Sequence, residues 1–118
     1  MPPESKRGAD RIRLRHMLDA VTEALRFARG KSRKDLRDDR MLTLALIKDL
    51  EIIGEAAGRV SKRFQVAHKE IPWANMVGAR NRLIHGYFDV DIDIVWETVR
   101  SDLPALAKVL KTVFNQKK

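Results

Sequence analysis

The stretch Arg80-Asn81-Arg82-Leu83-Ile84-His85-Gly86-Tyr87 holds an arginine, a histidine and the only tyrosine of the chain. An imidazole moves protons near neutral pH, a guanidinium stays cationic and grips phosphate in a planar fork, and a phenol can be covalently modified. Those three groups suit chemistry on a phosphate ester. Metal-free RNA cleavage needs a base for the ribose 2′-hydroxyl, an acid for the leaving 5′-oxygen, and cations for the charged transition state. Arg80 and His85 supply two of these functions. One histidine is short of a full acid-base cycle, which invites a second copy of the chain to bring another. If the segment is one regular helix, Arg80 and His85 point about 140° apart, whereas Asn81 lies about 40° and Arg82 about 60° from His85. Asn81 could then orient the imidazole, and Arg80 would have to bend around or act across a dimer axis.

Each of these residues also has an ordinary structural reading. Arg80 and Arg82 could pair with Glu51 or Glu55 on a neighbouring helix. His85 could sit at a helix C-terminus as a partner of the helix dipole, and Tyr87 could be an aromatic at the edge of the core with a wet hydroxyl. Trp73 and Trp96 fall at helical spacing in apolar patterns and read as packing residues rather than platforms for bases. His16 reads as surface and His68 as loop.

The rest of the composition narrows the chemistry. The chain of 118 residues has no cysteine, which excludes disulfides, thiolate nucleophiles and cysteine-ligated zinc. Three scattered histidines make no metal motif, so neither a metal nor another cofactor is expected. A single domain spanning residues 1–118 is expected, able to bury roughly 65% of its unfolded surface. No apolar run reaches the length of a membrane span and no signal-peptide core opens the chain, so a cytoplasmic location is expected. The formal charge is +8, from 24 Lys and Arg against 16 Asp and Glu. Half of the cations fall within the first 40 residues, Arg11 and Arg15 among them. A polyanionic partner follows, nucleic acid ahead of membrane, although a simply solvated cationic face accounts for the charge equally well.

Apolar residues from Ile12 through Met17, Leu18, Val21 and Leu25 recur at helical spacing and predict a helix from about Asp10 to Arg29, stopped by Gly30. Ser32 and Asp35 are candidate caps for a short turn. A helix from about Asp39 to Val60 is apolar on several faces and should be central. Its Gly54 and Gly58 are spaced to permit close helix approach, or are merely tolerated there. Ser61 to Lys69 can carry one more turn. A further helix is expected from Pro72 to His85, ended by Gly86. The last helical region opens at Asp91 or Asp93 and is kinked or split at Pro104, with Asp102 starting the second piece. Residues 1–9 and 115–118 read as flexible tails. No strand is expected, and the fold reading is all-α, an antiparallel bundle of four or five helices.

The pattern R-x-x-x-x-H-x-Y, filled by Arg80, His85 and Tyr87, resembles the signature of HepT-like proteins of the HEPN superfamily. The likeness extends through Leu50-Glu51-Ile52-Ile53-Gly54-Glu55-Ala56, Ile71-Pro72-Trp73 and Val90-Asp91-Ile92-Asp93-Ile94-Val95-Trp96-Glu97. It implies a helical domain that forms homodimers, with two arginine and histidine motifs meeting in a cleft between subunits. It also implies the toxin of a toxin-antitoxin pair, partnered by a minimal nucleotidyltransferase of the MntA type. The implied activity is metal-independent endoribonuclease cleavage by Arg80 and His85, with Asn81 in support; beside the resemblance, the basic charge makes Arg82, Arg11 and Arg15 candidate RNA contacts, or the N-terminal arm a solvated tail. Tyr87 becomes the acceptor of AMP from the nucleotidyltransferase, which silences the toxin. The alternative is a subunit that binds RNA or nucleotide for a nucleotidyltransferase without cutting.

Overall fold

The structure, a computed structural model, describes the backbone of residues 3–85 and 89–115 and the side chains of residues 8–79 and 90–115. Helix α1 spans Pro3–Ala28, starting ahead of Asp10, where the apolar period begins. Its first turns carry good helix formers and a proline at the first position, a polar sequence that a search for apolar spacing passes over. Gly30 ends the approach to the next element with φ +74, a left-handed conformation that costs glycine nothing.

Helix α2 (Arg33–Asp38) is built on both expected caps at once. The Ser32 hydroxyl accepts from the Asp35 backbone N–H, while the Ser32 backbone N–H donates to the Asp35 carboxylate at 2.8 Å. These bonds favour the ionised form and hold the Asp35 carboxyl below its usual range. Helix α3 (Arg40–Arg59) follows with Asp39 as its cap. It is the central rod, with Leu46, Ile47, Leu50, Ile53, Ala56 and Ala57 all buried. Helix α4 (Lys62–Ala67) is capped by Ser61.

Helix α5 spans Trp73–Leu83. The expected helix through His85 is corrected here, because Ile84–His85 is a short strand, β1, paired antiparallel with β2 (Asp89–Val90) in the register Ile84 to Val90 and His85 to Asp89. β-branched Ile84 and Val90 favour that extended pairing over another helical turn. The expectation that no strand forms is corrected by the same pair. Helix α6 (Ile92–Glu97) takes Asp91 as its cap and runs on through a wide π-helical turn at Thr98–Asp102 into α7 (Leu103–Asn115). The region is therefore widened rather than split. Pro104 lacks an N–H and its ring would crowd the carbonyl four residues back; the extra residue of the wide turn absorbs both faults. Helix α7 starts at Leu103, one residue past the expected Asp102.

Helices α1, α3 and α5 and the α6–α7 rod are the long elements of an all-α bundle, as expected, and the two short helices link them. One continuous core joins Leu14, Met17, Val21, Leu46, Ile53, Ile71, Val95, Leu103, Leu106 and Leu110. No helix among the described residues is long and apolar enough to cross a membrane.

Candidate active site

Helix α5 is held at its start by a small aromatic knot. The Trp73 indole Nε1 donates to the His68 carbonyl at 2.9 Å. The Phe64 ring stacks on the His68 imidazole at 4.2 Å and meets the Trp73 ring edge-on at 6.1 Å. Trp73 is buried, and so is Ile71 just before it. Trp73 and His68 thus take the packing and loop positions expected of them, while Trp96 is half-buried with Arg100 over its ring at 5.7 Å.

One turn further on, α5 meets α3 with no room to spare. A Cβ on Gly54 would stand 2.7 Å from the Met76 carbonyl oxygen, far inside contact distance, so only glycine lets the two backbones approach this closely. At Gly58 the nearest atom is a Val77 methyl at 3.8 Å, which is ordinary contact. Close approach is therefore what Gly54 is for. It sets the depth at which α5 lies on α3, with Met76 and Ala79 buried.

Arg80, Asn81 and Arg82 follow on the last turn of α5, and His85 ends β1. The helical angles between Arg80 or Asn81 and His85 do not apply, since the helix stops at Leu83. The side chains of Arg80, Asn81, Arg82 and His85 lie outside the described residues, as does Tyr87 altogether.

Arg11 and Arg15 are described fully. Both are exposed and sit one turn apart on α1, with their guanidinium carbons 5.0 and 4.6 Å from the centre of the Phe114 ring of α7. Asp10 fastens that end of α1, accepting from the Ser61 backbone N–H at 2.8 Å and the Ser61 hydroxyl at 2.6 Å. His16 is exposed as expected. No group of three or more potential metal ligands occurs among the described residues.

The sequence reading passed over Asp49. It is 2% exposed, between α3 and α1, and its Oδ2 has no hydrogen-bond partner. Burial, and a hydrogen bond and like charge from Glu23, push its carboxyl up to about 7, with Arg26 acting weakly in the opposite sense. An aspartate amid Leu46, Ile47, Leu50 and Ile53 is the signal that could have flagged it.

The fold and the arginine and histidine segment define a HEPN-type helical domain. Residues 17–113 match the family described as Ribonuclease HepT-like, and the chain belongs to that family. A candidate RNase of Caldanaerobacter subterraneus subsp. tengcongensis is 37% identical over 105 residues, covering 89% of this chain and 94% of that protein. A probable ribonuclease HepT of Thermococcus cleftensis is 40% identical over 93 residues, 75% of this chain and 84% of the relative. A third, a candidate RNase of Methanocaldococcus jannaschii, is 33% identical over 97 residues. No solved structure matches the chain.

Proposed function

We propose that the protein is a metal-independent endoribonuclease acting as a homodimer, with Arg80 and His85 as its catalytic pair. The observation that carries this reading is that Arg80 and His85 fall inside the region matching a ribonuclease family, at the junction where α5 gives way to β1. A family of relatives named as ribonucleases supports the reaction class. His85 takes the proton of a ribose 2′-hydroxyl as that oxygen attacks phosphorus. The phosphorus to 5′-oxygen bond breaks, and a second imidazole, from the partner copy, protonates the leaving 5′-oxygen. Arg80 stabilises the charge gathering on the phosphate, and Asn81 steadies the histidine. The products are a 2′,3′-cyclic phosphate and a 5′-hydroxyl.

In this reading the chain is a toxin whose partner is an MntA-type nucleotidyltransferase antitoxin. That enzyme adds AMP to Tyr87. A phosphate group placed two residues from His85 competes with RNA for the same cations and blocks the cleft. The test is growth arrest and RNA cleavage by Arg80→Ala and His85→Ala. Each is expected to lose both while keeping its fold and dimer, and cleavage at the unaltered rate by either variant would reject the catalytic assignment.

A further inference from the structure

Three shallow cavities lie in a row across the bundle, each sharing wall residues with the next. The first, about 260 Å³, lies between α1 and the end of α7 and is lined by Arg11, Ile12, Arg15, His16 and Phe114. The second, about 200 Å³, shares His16 as a wall and adds Arg13, Ile52, Ala56 and Arg59. The third, about 450 Å³, shares Glu55 and Arg59 with the second and reaches Gly54 and Val77. Val77 stands on α5 one turn ahead of Arg80. The row therefore runs from the first half of α1 to Val77 on α5.

The cation excess lies in the first two cavities, whereas the third sets Glu51 and Glu55 against Arg59 alone. Arg11, Arg13 and Arg15 form no ion pair among the described residues, while Arg59 is paired with Glu55 at 3.2 Å. Two like charges four residues apart on a helix repel one another, so Arg11 and Arg15 cost the free protein stability that a polyanion would return. Phe114 holds both guanidiniums at its ring by cation–π contact, which fixes their positions before any ligand arrives. Between the cations the floor is apolar, made by Ile12, Ile52 and Ala56. Alternating cations and apolar surface suit a single strand, whose phosphates seek the guanidiniums and whose unpaired bases seek the floor. A duplex would hide its bases from such a floor.

We infer that the first two of these cavities form a binding track for single-stranded RNA, in which Arg11, Arg13 and Arg15 hold phosphates of the strand away from the bond to be cut. The inference rests on the reading of RNA as substrate and extends it to where the strand lies. The track accounts for the excess of cations near the N-terminus, which the arginine and histidine segment leaves unexplained.

The test uses the full chain and a fluorescein-labelled, fully 2′-O-methylated single-stranded RNA, followed by fluorescence anisotropy across a range of salt. The probe lacks the 2′-hydroxyl nucleophile and cannot be cut, so the result stands whether or not the chain is a ribonuclease. For the double variant Arg11→Gln, Arg15→Gln, losing two phosphate contacts should lower affinity about 25-fold at 0.1 M salt and reduce the log–log salt slope by about 1.4. Arg13→Gln alone should reduce the slope by about 0.7. The control pair Lys31→Gln, Lys34→Gln, beside and on α2, should leave both quantities unchanged. Equal losses in the control and the groove variants would overturn the track in favour of diffuse charge. Unchanged affinity in the groove variants would overturn it, as would a shift of oligomeric mass in sedimentation without a change in affinity, which would make the groove a protein interface. Weakened binding in the groove variants, alongside an unaltered chain that cuts no natural RNA, would uphold the track and reject the ribonuclease reading.

Discussion

Replacing Asp49 by asparagine removes an ionisable group from the α1–α3 contact while keeping its shape. Asp49 is 2% exposed, and its burial with the like charge of Glu23 nearby favours the protonated form in the fold over the ionised one. Raising a carboxyl from 3.8 to about 7 corresponds to roughly 4 kcal/mol between the two forms. Because the folded value lies above the unfolded one, the folded chain binds the extra proton. The stability it confers is complete below about pH 4, declines as pH rises through about 7, and is absent above that. Asp35 acts with the opposite sign, since its carboxyl is held low, but it lies at the surface and adds little. Asp49→Asn should therefore match the unaltered protein near pH 3 and exceed it at pH 8 by up to about 4 kcal/mol, roughly 10–20 °C in Tm. The assay is urea unfolding of both proteins across that pH range, read by circular dichroism. Parallel curves for the two proteins, or a variant less stable at pH 8, would refute the reasoning.

Three further substitutions probe how the site is held. Gly54→Ala places a Cβ 2.7 Å from the Met76 carbonyl oxygen, so α5 must shift; thermal unfolding should show a loss of about 1–3 kcal/mol, together with weaker RNA cleavage. Asp10→Ala strands the Ser61 N–H and hydroxyl and frees that end of α1; denaturant unfolding should show about 1–3 kcal/mol lost, with faster amide exchange in the first turns of α1. Tyr87→Phe removes the proposed AMP acceptor; intact-mass measurement after incubation with the MntA-type nucleotidyltransferase and ATP should show no added AMP, whereas the unaltered chain gains one.

The bundle was readable because its long helices bury one or more continuous faces. The apolar runs of α3 and α7 carry helical period, and Ser32, Asp39, Ser61 and Asp91 mark helix starts by chemistry alone. Two residues of strand carry no period at all, so Ile84–His85 reads as helix until Val90 is brought beside it. Pro104 announced a break, but whether a helix splits or widens depends on the packing of Val99 and Leu103 around it, both buried. In the candidate site, the residue types at Arg80, His85 and Tyr87 were legible, and so was the N-terminal excess of cations that holds Arg11 and Arg15. The meeting of that pair with Phe114, ninety-nine residues beyond Arg15, is a tertiary event that local spacing does not encode. The same holds for Asp49, whose burial depends on α1 lying across α3.

RNA cleavage without a metal is tested most directly by incubating the unaltered protein and His85→Ala with end-labelled RNA in EDTA and analysing the new termini. The unaltered protein should give 2′,3′-cyclic phosphate and 5′-hydroxyl ends, and His85→Ala none. Intact RNA in EDTA, or the same ends from His85→Ala at the same rate, would contradict it.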